Sequence, residues 1–169
     1  MKKIIIIGAG AMGSAFTVPC LDNNNDVTLV GTHLENELIA DIKKNKNFHP
    51  ALKTNLPPTL KVERFENLKS VIENGMDVIV VGVSSIGINW FVEEISKYYK
   101  KELSIVLLTK GLSIHNDELI TISEKIKILL SLSLFWMVLV GYLVWANGLL
   151  ARGDKSFRWD EWLWFGIVP

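Results

Sequence analysis

Cysteine is almost missing from this chain: Cys20 stands alone among 169 residues. One thiol excludes an internal disulfide and fits a reducing compartment. Cys20 falls where a first helix should pack, which predicts a buried small hydrophobe rather than a nucleophile. Net charge is missing as well, because 18 basic residues balance 18 acidic ones. No basic field therefore marks a nucleic-acid partner. Histidine occurs three times, and no group of His, Cys, Asp and Glu has metal-ligand spacing, so no metal site is expected. His49 and His115 fall in connecting segments, are expected to be solvated, and are not placed as general acids. No internal repeat or low-complexity tract is present. The length suits one domain of ordinary size.

What is present begins at the N-terminus. Residues Lys2 to Gly13 read Lys-Lys-Ile-Ile-Ile-Ile-Gly-Ala-Gly-Ala-Met-Gly, an apolar strand running into Gly8-x-Gly10-x-x-Gly13 and then a helix. That context gives the three glycines a physical meaning. Gly8 permits a tight turn, Gly10 lets the backbone approach a pyrophosphate, and Gly13 lets the helix pack on the strand. The helix N-terminus behind them offers unpaired N–H groups and partial positive charge to phosphate. A secretory leader is not expected, since the glycines break the apolar run and Pro19 before Cys20 makes a poor cleavage site.

Up to about Lys127, short apolar runs alternate with charged, helix-patterned segments. The pattern predicts strands at Lys3–Ile7, Val27–Val30, Leu60–Val62, Asp77–Val83 and Ser104–Leu108. Helices are predicted at Ala11–Leu21, Leu34–Lys46, Glu66–Glu73 and Ile86–Tyr99, with Pro19 expected to kink or end the first one early. Such alternation argues for a doubly wound, Rossmann-type parallel sheet. In these sheets the ligand lies outside the carboxyl ends of the strands, at the switch point. That rule selects Gly8–Gly13, Gly31-Thr32-His33, Val83-Ser84-Ser85 and Thr109-Lys110-Gly111. The end of the second strand carries Thr32 and His33, with no carboxylate until Glu35. On this reading no negative charge repels a 2′-phosphate, and NADP is at least as acceptable as NAD. No arginine stands ready to clamp that phosphate.

These residues resemble the bacterial-type NAD(P)-dependent glycerol-3-phosphate dehydrogenases over roughly residues 3 to 120. The resemblance rests on Gly8-Ala9-Gly10-Ala11-Met12-Gly13, Leu29-Val30-Gly31-Thr32, and Asn45-x-x-Phe48-His49-Pro50 with Leu56-Pro57-Pro58-x-Leu60. It continues through Val80-Val81-Gly82-Val83-Ser84-Ser85 and ends on Thr109-Lys110-Gly111-Leu112. It implies NAD or NADP as cofactor and reversible reduction of dihydroxyacetone phosphate to sn-glycerol 3-phosphate, the backbone of phospholipids. By the same resemblance Ala11 and Met12 lie along the pyrophosphate, and Thr32 or His33 lies near the adenosine ribose. Lys110 reaches both the nicotinamide end and the substrate. Ser84 and Ser85 are read either as a helix N-cap or as cofactor contacts. Family members continue into a Gly-Pro-Ser/Thr loop and a large helical substrate domain, neither of which follows here. The expectation is the cofactor-binding half of a truncated dehydrogenase, with no catalytic residues assigned. Its first part, residues 1–127, is expected in the cytoplasm.

A second kind of sequence begins near residue 128. Ile128 to Ala151 contains no charged residue, and five of the six tryptophans lie in the last 34 positions. As a helix this stretch would be roughly 36 Å long, enough to cross a hydrocarbon core of about 30 Å. A transmembrane-like helix over 128–151 and possible membrane contact are therefore expected, rather than a sixth strand at Ile128–Leu132. A polar loop and a short apolar tail are expected over 152–169. The alternative function this allows is a membrane-tethered, non-catalytic nucleotide-binding module.

Overall fold

A computed structural model describes residues 1–98 and 104–152. The chain divides into two compact units, Met1–Ile126 and Lys127–Pro169. The first unit opens with β1 (Lys3–Ile7), α1 (Ala11–Asp22), β2 (Asp26–Val30) and α2 (Asn36–Lys44). A small hairpin follows, β3 (Phe48–His49) with β4 (Thr54–Asn55), and then β5 (Lys61–Glu63). After a 3-10 turn come α3 (Leu68–Glu73) and β6 (Val78–Val81). A second 3-10 turn, Ser85–Gly87, leads into α4 (Ile88–Ser96) and then β7 (Ser104–Leu107). A last hairpin, β8 (Leu112–His115) with β9 (Glu118–Thr121), precedes α5 (Ile122–Arg152).

Five strands form one sheet in the order β5-β2-β1-β6-β7, every pair parallel. Parallel strands need helical crossovers, and those crossovers cover both faces. Continuous rather than alternating apolar runs answer that demand: Ile5, Ile6, Ile7, Ile79, Val80 and Val81 are all buried. The covering helices show the complementary pattern. Ile88, Phe91, Val92 and Ile95 of α4 are buried at helical spacing. In α2, Ile39 and Ile42 face inward while Lys43 and Lys44 occupy the last turn, where positive charge suits the helix dipole. The strand order reverses between β1 and β6, so the ligand crevice is expected above their carboxyl ends.

Three expectations are revised. Pro19 neither ends nor shortens α1, which runs on to Asp22. Residues 15 and 19 both lie on the exposed side, so the carbonyl that loses its helical partner can turn to water. His115, expected in a connecting segment, lies instead in a hairpin over residues 112–121 whose turn residues Asn116 and Asp117 both have positive φ, 51° and 64°. That is the two-residue turn that matches strand twist.

The third revision concerns the apolar run. It is helical through Ile128–Leu132, within the 31-residue α5, so it is not a strand. Among the described residues, however, no helix is long and apolar enough to cross a membrane. The transmembrane expectation for 128–151 therefore has no support among the described residues. The expected tail lies, from residue 153 onward, outside the described residues.

Candidate functional site

The glycine loop joins β1 to α1 through a contact that excludes side chains. Gly8 has φ +109°, and a Cβ placed on it would lie 2.7 Å from the Gly82 carbonyl carbon. A Cβ on Gly13 would lie 2.1 Å from the Gly8 oxygen, and one on Gly82 would lie 3.1 Å from Gly13 Cα. Three backbones, from β1, α1 and the end of β6, therefore touch at one point. Gly82, which closes the triangle, is part of the sequence motif but not among the residues that the switch-point rule selects. Gly10 differs, because a Cβ there meets nothing closer than Glu35 Oε1 at 3.9 Å. Its open side faces the crevice.

Ala9 is the fixed point of this loop. Its N–H donates to Glu35 Oε2 at 3.0 Å. Its carbonyl accepts the Ser14 hydroxyl at 3.0 Å and pairs with His49 Nε2 at 2.9 Å. The Leu52 N–H donates to His49 Nδ1 at 3.3 Å, which makes Nδ1 the acceptor and Nε2 the donor to Ala9. His49 is 1% exposed. The expectation of a solvated histidine is thus corrected: the β3–β4 hairpin turns the ring under the loop, where a buried carbonyl needs a partner. His115 lies in β8 and is half-buried.

A second correction concerns the end of β2. The sequence placed no carboxylate there, yet Glu35 folds back to it. Besides Ala9, the Thr32 N–H donates to Glu35 Oε2 at 2.8 Å. A carboxylate five residues beyond Val30 therefore stands at the strand end, held by two backbone donors. The premise that no negative charge awaits a 2′-phosphate does not survive this geometry.

A cavity of about 560 Å³ opens beside these groups, lined in part by Gly10, Met12, Thr32, Glu35, Ser84 and Lys110. Ala11 and His33 also line it. Gly8 and Gly13 are buried and outside the lining; they shape the loop rather than the wall. Ser85 opens the 3-10 turn and is not a lining residue. Ser84 precedes that turn but makes no side-chain cap bond, so its hydroxyl is not used as an N-cap. Helix α1 starts on Gly10 with no side-chain cap and no acidic residue in its first turn. Its leading N–H groups and partial positive charge are left for an anion.

Sequence reasoning passed over the aromatic wall of this cavity. The His33 ring lies 4.9 Å from Trp90 and Trp90 lies 5.1 Å from Phe65, centroid to centroid. Trp90 also lines the cavity. Its position in α4, one residue before the buried Phe91, was the available signal. At the opposite side the Thr109 hydroxyl donates to the Val83 carbonyl at 2.6 Å, tying the strand end that presents Lys110 to the loop after β6. Lys110 itself is exposed.

A second cavity of similar size, about 580 Å³, lies at the other ends of the strands, around Lys3, Asp26 and Lys61. Asp26 and Lys61 are ion-paired there at 2.6 Å. It has no glycine loop, the one helix start at its edge is Asn67 before the six-residue α3, and it lies away from the carboxyl ends of the strands where ligands bind in such sheets. Among the described residues no group of His, Cys, Asp and Glu could hold a metal ion.

Comparison with known proteins agrees with this geometry. Residues 3–142 match the model of the NAD-dependent glycerol-3-phosphate dehydrogenase N-terminus. An NADP(+)-dependent glycerol-3-phosphate dehydrogenase of Archaeoglobus fulgidus is 37% identical over 125 residues, covering 73% of this chain and 36% of that protein. A glycerol-3-phosphate dehydrogenase [NAD(P)+] of Mesoplasma florum is 33% identical over 75% of this chain and 36% of its own length. Among solved structures, the glycerol-3-phosphate dehydrogenase of Plasmodium falciparum superposes with a TM-score of 0.62 at 25% identity, over 76% of this chain and 38% of that one. The Coxiella burnetii enzyme, at 22% identity and a TM-score of 0.58 over 66% of this chain and 33% of that one, shares the fold. The chain spans about a third of the length of the curated relatives it matches. With its glycine triangle and the match over residues 3–142, the chain belongs to the family described by the NAD-dependent glycerol-3-phosphate dehydrogenase N-terminus.

Proposed function

We propose that residues 1–127 are the nicotinamide dinucleotide-binding half of a glycerol-3-phosphate dehydrogenase, which interconverts dihydroxyacetone phosphate and sn-glycerol 3-phosphate, a phospholipid precursor. The observation that bears most weight is the difference between the three glycines. Gly8 and Gly13 have no room for a methyl group because protein backbone fills it, whereas Gly10 has room only because the crevice is open. A loop needed solely for packing would not require a glycine at position 10. In this reading the pyrophosphate lies against Gly10, Ala11 and Met12 at the α1 N-terminus. The adenosine end lies by Thr32, His33 and the Trp90 ring, where a base can stack. Ser84 and Lys110 lie toward the nicotinamide end.

The bound cofactor supplies the hydride. Lys110 contributes a fixed positive charge where an oxygen gains negative character as the carbonyl is reduced. Thr109 holds that strand end in place through its bond to Val83.

The test is Gly10→Ala, assayed by calorimetric titration with NADH and NADPH. The added methyl meets only Glu35 Oε1, at an ordinary contact distance of 3.9 Å, so thermal stability should stay within about 0.5 kcal/mol of wild type. Dinucleotide affinity should fall at least tenfold. Unchanged affinity would remove the pyrophosphate from this loop.

A further inference from the structure

We infer that His49 is a positioning residue for the dinucleotide: it fixes the Ala9–Gly10 peptide so that the Gly10 N–H faces the pyrophosphate. The inference rests on the dinucleotide reading of the crevice and adds the group that aims its first donor. Gly10 has φ −64° and ψ 173°, extended backbone that any residue adopts. The freedom of glycine therefore does not set this peptide, and hydrogen bonds must. The Ala9 carbonyl accepts the Ser14 hydroxyl at 3.0 Å and His49 Nε2 at 2.9 Å, which fills both lone pairs. Ser14 and His49 are 0% and 1% exposed, so that carbonyl points into the protein. Across a trans peptide the N–H points the opposite way, to the side on which Gly10 lines the cavity. Among the described residues no protein group accepts a bond from it. It stands beside the unpaired leading N–H groups of α1, where an anion is favoured.

The β3–β4 hairpin gives the ring its orientation and its tautomer. The Lys53 N–H donates to the His49 carbonyl at 2.9 Å, and the Leu52 N–H donates to Nδ1 at 3.3 Å. With Nδ1 an acceptor, the ring proton sits on Nε2, the nitrogen that faces Ala9. The hairpin is itself anchored, because the Asn47 N–H donates to the Ile42 carbonyl at 2.9 Å and the Leu56 N–H to the Asn47 carbonyl at 2.8 Å. Hairpin fixes tautomer, and tautomer fixes the loop peptide. The same bond polarises that peptide, which makes the Gly10 N–H a stronger donor. His49 touches no nucleotide in this arrangement; it acts through Ala9.

The measurement is the NADH dissociation constant of the whole chain, of His49→Leu and of His49→Gln, each at a temperature where circular dichroism shows it folded. Leucine fills the site without a donor, and glutamine returns an N–H to the Ala9 carbonyl. Binding should weaken about fivefold in H49L, the worth of one hydrogen bond, and stay within about twofold of wild type in H49Q. A ring that only fills space predicts equal affinity in all three folded chains, or losses that follow Tm rather than the donor; either result would overturn the inference. A second measurement needs no variant. In proton NMR of the wild-type chain, the His49 Nε2–H and the Gly10 amide proton lie at opposite ends of one peptide group. They should shift together as NADH is added. Either proton staying still while NADH binds would overturn the inference and leave the dinucleotide reading standing. Failure of the wild-type chain to bind NADH or NADPH would instead refute that reading, and the inference with it.

Discussion

Replacing Gly13 by alanine sets two effects of opposite sign against each other. Gly13 is inside α1, and alanine in a helix interior is ordinarily favoured by about 0.5–1 kcal/mol. Against this, the new Cβ would lie 2.1 Å from the Gly8 oxygen and 3.2 Å from its carbonyl carbon. An ordinary carbon–oxygen contact needs about 1 Å more, and the intruding atom is backbone. Gly8 cannot retreat, because its own Cα already stands so close to Gly82 that a Cβ would fall 2.7 Å from the carbonyl carbon. Forced separation of well-packed elements costs about 1–3 kcal/mol, and here it also spoils Ala9, whose peptide is bonded on both sides. The clash wins. Net destabilisation of about 1–2 kcal/mol should lower the Tm by about 2–8 °C, at roughly 2–4 °C per kcal/mol for a chain of this size. Gly141→Ala supplies the control within the same molecule. That glycine is also helical, and a Cβ on it meets nothing within 4 Å. Far-UV circular dichroism should therefore show equal or greater helix content, with no loss of Tm. The steric argument fails if Gly13→Ala melts no lower than wild type, or if the two variants shift together.

Other consequences follow from the same contacts. His49→Ala empties a buried site and removes the partner of the Leu52 N–H and one partner of the Ala9 carbonyl; it should cost about 2–3 kcal/mol in a urea titration, and His49→Gln should recover part of that by restoring a donor. Burial by itself would raise the Glu63 carboxyl, but the hydrogen bonds from Asn67 and Lys43 overcome it and hold the group below its ordinary value. Stability from Glu63 is therefore present above the usual carboxylate range and lost as pH falls through the depressed folded value. Glu63→Gln should lower the Tm at pH 7, and the gap from wild type should close toward about pH 3. Burial pushes the Cys20 thiol up, so the native chain should resist alkylation at pH 8 and react at once in urea. Because the unfolded thiol ionises first, the related stability is present at neutral pH and lost as pH rises through the folded value.

The layers of this fold were legible because they rest on local periodicity. Continuous runs such as Ile4–Ile7 and Val78–Val81 cannot be surface strands. Helical spacing in Leu38–Ile42 and Ile88–Ile95 leaves one apolar face to bury. Gly8-x-Gly10-x-x-Gly13 named the loop because a tight turn, an approaching anion and a close helix each exclude side chains at a fixed spacing. Uncharged residues 128–151 announced a helix, though lack of charge said less about a membrane than it first suggested. Tertiary structure decided everything that depends on partners far along the chain. Gly82 meets Gly8 and Gly13 only once β6 lies beside β1. Trp90 joins His33 only across the crevice. His49 and Glu35, read as a solvated ring and a carboxylate too far past β2, both close on Ala9, 40 and 26 residues away. Periodicity reports which face of an element is buried, because that is settled within a few residues. Which buried hydrogen-bonding group must be answered, and by whom, is settled only when the backbone of one element is packed where water cannot reach it.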